Sequence, residues 1–137
     1  MVTAENDNER LVLAFFEALG TGNLERARGL LHHDATWTVM PAGVPGSGPH
    51  RGRQEIIDDF LMPLRDSLFE PGTVSGGVDT LISKGGLVAA ESQASARLKN
   101  GKSYHNRYVF VFEIRDAAIA AVREYMDSHY IVERLKP

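Results

Sequence analysis

The stretch from 103 to 127, SYHNRYVFVFEIRDAAIAAVREYMD, holds two long strand patterns on either side of a short turn at Asp116 and Ala117. Runs of this kind joined this tightly read as a β-hairpin, and the rest of the chain has to be organised around it. Side chains of a strand alternate between its faces, so Tyr104, Asn106, Tyr108, Phe110 and Phe112 share one side of the first strand. A face that starts polar and ends aromatic has the composition of a pocket wall. In the second strand Ala121, Arg123, Tyr125, Asp127 and His129 share a side. If that side meets the same hollow, a carboxylate, a guanidinium, a phenol and an imidazole converge there, with Asp127 at the centre.

The other regions supply cover for this hairpin. Apolar residues recur at Leu11, Val12, Phe15, Phe16 and Leu19, the spacing of a helix with one buried face, and Gly20 and Gly22 end it. Asn23 is the expected N-cap of a second, shorter helix, which leaves through His32, His33 and Asp34. ATWTVM at 35–40 reads as a strand. The segment 41–52 has three Pro and four Gly in twelve residues and is expected to be a loop. A third helix starts near Arg53, carries Ile56, Ile57, Phe60, Leu61, Leu64 and Leu68 on one side, and is expected to kink or divide at Pro63. Strands follow at 74–82, 87–98, 103–115 and 118–127, with turn signals at Lys84-Gly85-Gly86 and Asn100-Gly101 and a bulge expected near Gly76-Gly77. Helix, helix, strand, helix and then a four-strand meander predict an α+β fold of one domain, 1–137, in which three N-terminal helices cover a single curved sheet.

Composition narrows the function. A chain of 137 residues with 43% apolar content can bury a real core. A net charge of -3, with no run of Lys or Arg, gives no electrostatic reason to expect nucleic acid or a membrane surface. The absence of cysteine excludes disulfides, thiolate metal sites and a thiol nucleophile. The polar, acidic start MVTAENDNER lacks an apolar signal core, and the expectation is a cytoplasmic protein.

The order of elements resembles the NTF2-like superfamily and, within it, the SnoaL-like and ketosteroid-isomerase-like group, also called the cystatin-like fold. The resemblance rests on FFEALGTGNLERARGLLHHDATW, RGRQEIIDDF, GKSYHNRYVFVFEIRD and IAAVREYMD, which together span about Leu11 to Asp127. It implies a cone of curved mixed or antiparallel sheet closed by helices, an apolar pocket within, and a homodimer formed through the outer face of the sheet, where Val109, Val111, Val122 and Met126 are expected. Steroid isomerases of this group combine a carboxylate base with a Tyr and a protonated Asp. Here the corresponding positions are Phe15, Val39 or Met40, and Tyr108, so steroid isomerisation is not implied. Limonene-epoxide-hydrolase-like members use an Asp-Arg-Asp set, of which Asp127 matches one Asp while the strand at 87–98 offers Glu91 and Gln93. SnoaL-like polyketide cyclases need a single acid in an apolar pocket, which this chain can supply.

The candidate catalytic residues are therefore Asp127 as acid or base, with Tyr104 and Asn106 orienting a carbonyl or hydroxyl. Tyr108, Glu91, Arg123, Tyr125, Trp37, Phe15, Phe60 and Phe110 are candidates for binding the substrate, the aromatic ones equally readable as core. Parity leaves the direction of Glu91 open. His129 stands two residues beyond Asp127 and could pair with it, while His32, His33, His50 and His105 carry no metal-ligand spacing; neither metal nor cofactor is expected. GVPGSG lacks the Lys and Ser or Thr of a phosphate loop. Two functions remain. One is a proton-transfer enzyme, of isomerase, cyclase or epoxide-hydrolase type, acting without cofactor on a small apolar, oxygen-bearing molecule. The other is a non-catalytic module that binds a ligand or assembles through its sheet.

Overall fold

In the computed structural model, which describes residues 2–137, the long hairpin is the centre of a six-stranded sheet. Strands β1 (Leu31–Val39), β2 (Gly48–Arg51), β3 (Ser75–Lys84), β4 (Leu87–Arg97), β5 (Ser103–Arg115) and β6 (Ala118–Met126) stand in the order β2-β1-β6-β5-β4-β3. Every pairing is antiparallel except β1 with β6. The sheet is curved and unclosed, an α+β arrangement in which helices cover its concave face.

Helix α1 (Asp7–Gly20) is started by Asn6, whose side chain accepts the Glu9 N–H at 2.9 Å, and it buries Val12, Phe15 and Ala18. Buried Glu9 accepts from Ser83 Oγ and from Glu5 N, which pins the helix to β3 and holds its carboxyl below the usual range. Helix α2 (Leu24–Leu30) is capped by Asn23, as its sequence suggests. Beyond it the chain does not leave through His32, His33 and Asp34: those residues are already in β1, because Leu31 pairs with Ile119 directly after the helix. The proline-rich segment 41–52 likewise ends in a short strand, β2. Pro49 is tolerated there because β2 lies at the sheet edge and pairs with β1 alone.

The third helix does divide near Pro63. A π-helical segment, Glu55–Leu61, runs into α3 (Met62–Leu68), and the wider turns precede the residue that cannot donate a backbone hydrogen bond. Ile56, Ile57, Phe60 and Leu61 are its buried side. Arg28 of α2 reaches Asp58 at 2.6 Å and ties the two helices together. A fourth helix, α4 (Ser128–Arg134), follows β6, where the sequence pattern gives no helix; cover therefore comes from both ends of the chain rather than from the N-terminal helices alone.

The register of the hairpin decides which residues the concave face receives. At the turn, Asp116 and Ala117 both adopt positive φ, 52° and 59°, and Arg115 pairs with Ala118 and Ile114 with Ile119. The next pair is Glu113 with Ala121, so Ala120 is an extra residue, a β-bulge. One inserted residue exchanges the faces of the rest of the strand. Phe112 thus lies opposite Val122, Phe110 opposite Glu124 and Tyr108 opposite Met126. Val122, Glu124 and Met126 point toward the helices, while Arg123 and Tyr125 belong to the outer face.

Candidate functional site

Between α1, α3 and the concave face of β4 to β6 lies a cavity of about 220 Å³. Its walls are mainly apolar, with Phe16, Trp37, Phe60, Leu64, Phe110 and Met126 among them, and Pro45 contributes from the loop after β1. The aromatic rings pack edge to face, Trp37 against Phe60 at 5.8 Å and Trp37 against Phe110 at 6.0 Å between centroids, so the wall is stiff. Gly76 of β3 also lines it. A Cβ there would lie 2.3 Å from the Gln93 carbonyl oxygen, so glycine is required by the close approach of two backbones. The bulge expected at Gly76-Gly77 occurs slightly later, between Val78 and Thr80.

Two polar groups of the wall stand out. Glu124 accepts the Trp37 Nε1–H at 2.9 Å through Oε1, and Oε2 has no hydrogen-bond partner among the described residues. Among the described residues no cation lies within ion-pair distance of it. Burial therefore dominates and pushes the carboxyl up to about 7, the Trp37 hydrogen bond offsetting part of the effect. The second group is Tyr108, whose hydroxyl lies 2.7 Å from that of Tyr104. Burial raises both phenols above their ordinary range.

The hydrogen bond between the two tyrosines has a direction, set by Asn106. Asn106, only 2% exposed, gives its Nδ2 to the Asp127 carbonyl at 3.1 Å and to Tyr104 Oη at 3.0 Å, and its Oδ1 accepts the Arg107 N–H at 2.8 Å. A backbone carbonyl can only accept and a backbone N–H can only donate, so the amide has one possible orientation. Tyr104 accepts from Asn106, and Tyr108 is the one acceptor within reach of its own proton among the described residues. The Tyr108 proton is left for the cavity.

The residues singled out in the sequence are distributed by these facts. Tyr108, Trp37, Phe60 and Phe110 line the cavity, and Tyr104 and Asn106 stand behind Tyr108. Phe15 is fully buried beneath Trp37, 5.9 Å between rings, in the core rather than in the wall. Asp127 lies outside the hollow: it is exposed, and its carboxylate caps α4 by accepting the Tyr130 N–H at 3.0 Å. Arg123 pairs with Glu113 on the outer face, where Tyr125 is 39% exposed and Glu91, opposite Val109, is exposed too. His129 is exposed beside a carboxylate already engaged by the backbone. All of the displaced β6 residues follow from the bulge at Ala120, and Val122 and Met126, expected outside, come inside for the same reason. A signal for Glu124 existed: its strand neighbours at two-residue spacing, Val122 and Met126, are apolar, whereas Arg123, Tyr125 and Asp127 are all polar.

One group of metal-ligand type occurs among the described residues, His32, His33 and Asp34 at the start of β1. His32 Nε2 is occupied by the Arg115 carbonyl at 2.6 Å and Asp34 by the Arg115 guanidinium at 3.5 Å.

A helix-covered, unclosed cone with an apolar cavity and an acid on its wall is an NTF2-like α+β fold. A sequence model of the SnoaL-like domain matches residues 12–122, and the chain belongs to that family. The match ends just before Glu124. Solved structures agree on the fold. An NTF2-like protein of unknown function from Burkholderia pseudomallei superposes with a TM-score of 0.85 at 18% identity, over 96% of this chain and 99% of that one. TerC, co-crystallised with polyporic acid, gives 0.82 at 19% identity, over 94% and 98%. A protein of ketosteroid isomerase-like fold from Catenulispora acidiphila, in complex with trimethylamine, gives 0.77 at 16% identity, over 97% and 93%. No curated protein matches the sequence. Among the described residues no helix is long and apolar enough to cross a membrane.

Proposed function

We propose that the protein is a proton-transfer enzyme for a small, largely apolar carbonyl compound, with Glu124 as acid and base and Tyr108 as donor to the carbonyl oxygen. The observation that carries this reading is a carboxyl with one unpartnered oxygen on the wall of an apolar cavity that also holds a directed hydroxyl. The Glu124 carboxylate takes a proton from the carbon beside the carbonyl. The electron pair moves to the carbonyl oxygen, whose charge accepts the Tyr108 hydrogen bond. The carboxylic acid then returns the proton, to the same carbon or to a conjugated one, and the carbonyl re-forms. A carboxyl near 7 is suited to both halves of this cycle at neutral pH. That TerC was crystallised with polyporic acid is consistent with such a fold taking an oxygenated aromatic molecule.

The test is exchange of the α-protons of β-tetralone in deuterium oxide, followed by proton NMR. The wild type is expected to exceed buffer, with a rate that rises with pH about a midpoint near 7. Glu124→Gln should lower the rate on the order of 100-fold, and Tyr108→Phe by about 10-fold or more. Wild-type exchange no faster than buffer, or undiminished exchange in Glu124→Gln, would refute the assignment and return the cavity to the ligand-binding reading.

A further inference from the structure

The cavity wall carries two ionisable groups of opposite charge, Glu124 and Arg65, and they form no ion pair with each other. Arg65 comes from α3 and is half-buried. One of its nitrogens, Nη1, donates to the Leu19 carbonyl at 2.8 Å, at the end of α1, and no carboxylate lies within ion-pair distance of it among the described residues. A partly desolvated guanidinium that spends a single donor on a main-chain carbonyl has most of its hydrogen-bonding capacity unmet by protein groups. Leu61, Leu64 and Leu68, the lining residues nearest to it in sequence, offer no acceptor side chain. Burial disfavours its charge more than neighbouring Asp66 favours it, so a negative oxygen brought to it would be worth more than at an exposed arginine.

We infer that Arg65 is a specificity-determining residue that binds an anionic oxygen of the ligand, so that the molecules taken by this cavity are acids rather than neutral ketones alone. A carboxylate or an acidic enol would meet the fork of Arg65, while the rings lie along Trp37, Phe60 and Phe110. Size agrees: a cavity of roughly 150 Å³ holds a benzene ring, and about 220 Å³ leaves room for a second fused ring or a short substituent. The inference rests on the cavity being a ligand site, and it does not depend on Glu124 moving a proton.

The experiment compares β-naphthoate with its neutral isostere β-naphthamide by isothermal titration calorimetry, on the wild type, Arg65→Gln and Arg65→Lys. The wild type is expected to bind the acid at least about 10-fold tighter than the amide, the range of a charge-assisted hydrogen bond. In Arg65→Gln that ratio should fall to about one, and Arg65→Lys should restore part of it. Arginine that merely caps α1 would behave differently: Arg65→Gln would melt earlier and weaken both ligands alike, leaving the ratio intact. That result, equal binding of the two by the wild type, or no binding of naphthoate would overturn the inference. Its failure is distinct from that of the catalytic reading, since naphthoate preference without tetralone exchange leaves Arg65 standing and removes only Glu124.

Discussion

Glu124 is where the cost of the site can be read without any substrate. Its carboxyl is pushed up to about 7 in the folded protein from an ordinary value of 4.5, because its place on the cavity wall disfavours the charged form. Between those two values the folded chain holds a proton that the unfolded chain has lost. Stability from this residue is therefore fully present below about 4.5 and is lost as pH rises through about 7, the reverse of the behaviour of an ion-paired carboxylate. A shift of that size corresponds to at most about 3 kcal/mol. Urea unfolding at about pH 5 and about pH 8 should show the wild type weakening and Glu124→Gln weakening less, the difference between the two curves isolating this group from the histidines. Parallel curves would mean that the carboxyl is solvated in the folded state. The lowered carboxyls of Glu9, Asp58 and Glu133 act with the opposite sign, and at lower pH, so they leave this window clear.

The bulge at Ala120 links the hairpin to the cavity wall. An uninterrupted two-residue hairpin closed by Asp116 and Ala117 would set Phe110 opposite Arg123 and Tyr108 opposite Tyr125, and the polar residues Arg123, Tyr125 and Asp127 would enter the hollow. The observed register sets Phe110 opposite Glu124 instead. Deleting Ala120 should therefore force one of two losses. Either Val122 and Glu124 exchange places with their neighbours, or Ile119, fully buried and paired with Ile114, turns outward. Either costs about 2–3 kcal/mol or more, the worth of one large buried side chain, and thermal unfolding of the deletion variant should show it; a melting temperature like the wild type's would mean the bulge is not what holds the register. This is also why the fold was legible in the sequence and half of the site was not. Alternation within β5 is strict, so Tyr104, Asn106, Tyr108 and Phe110 could be placed from parity. A bulge in an alanine-rich run, AIAAV, leaves no compositional trace, since Ala suits either face. The strands could be found because each carries its own period, but their relative register is a property of the pair.

For the whole molecule, an unclosed sheet leaves the end of its concave face open, and here the last residues close it. Helix α4 has seven residues, too few to be stable alone. It is held by the Asp127 cap, by Tyr130 lying 5.6 Å from the Tyr104 ring, and by Arg134 donating to the Ser103 carbonyl at 2.6 Å. Its one buried residue, Ile131, reaches the cavity wall. A single buried position gives no helical period to read, so the sequence does not announce this helix, and it also lies beyond the span shared with the family. If α4 is a structural wall of the site, its two adjacent apolar residues should differ sharply. Ile131→Ala, 7% exposed in the wild type, should cost about 2 kcal/mol or more, read as a lower urea midpoint at unchanged slope. Val132→Ala, 38% exposed, should stay within about 0.5 kcal/mol. Equal effects would mean that the end of the cone is closed by something other than this helix. Tyr130 of the same helix packs on the Tyr104 ring, whose hydroxyl meets Tyr108, so loosening the helix by loss of Ile131 should also weaken the binding of β-naphthoate measured by calorimetry.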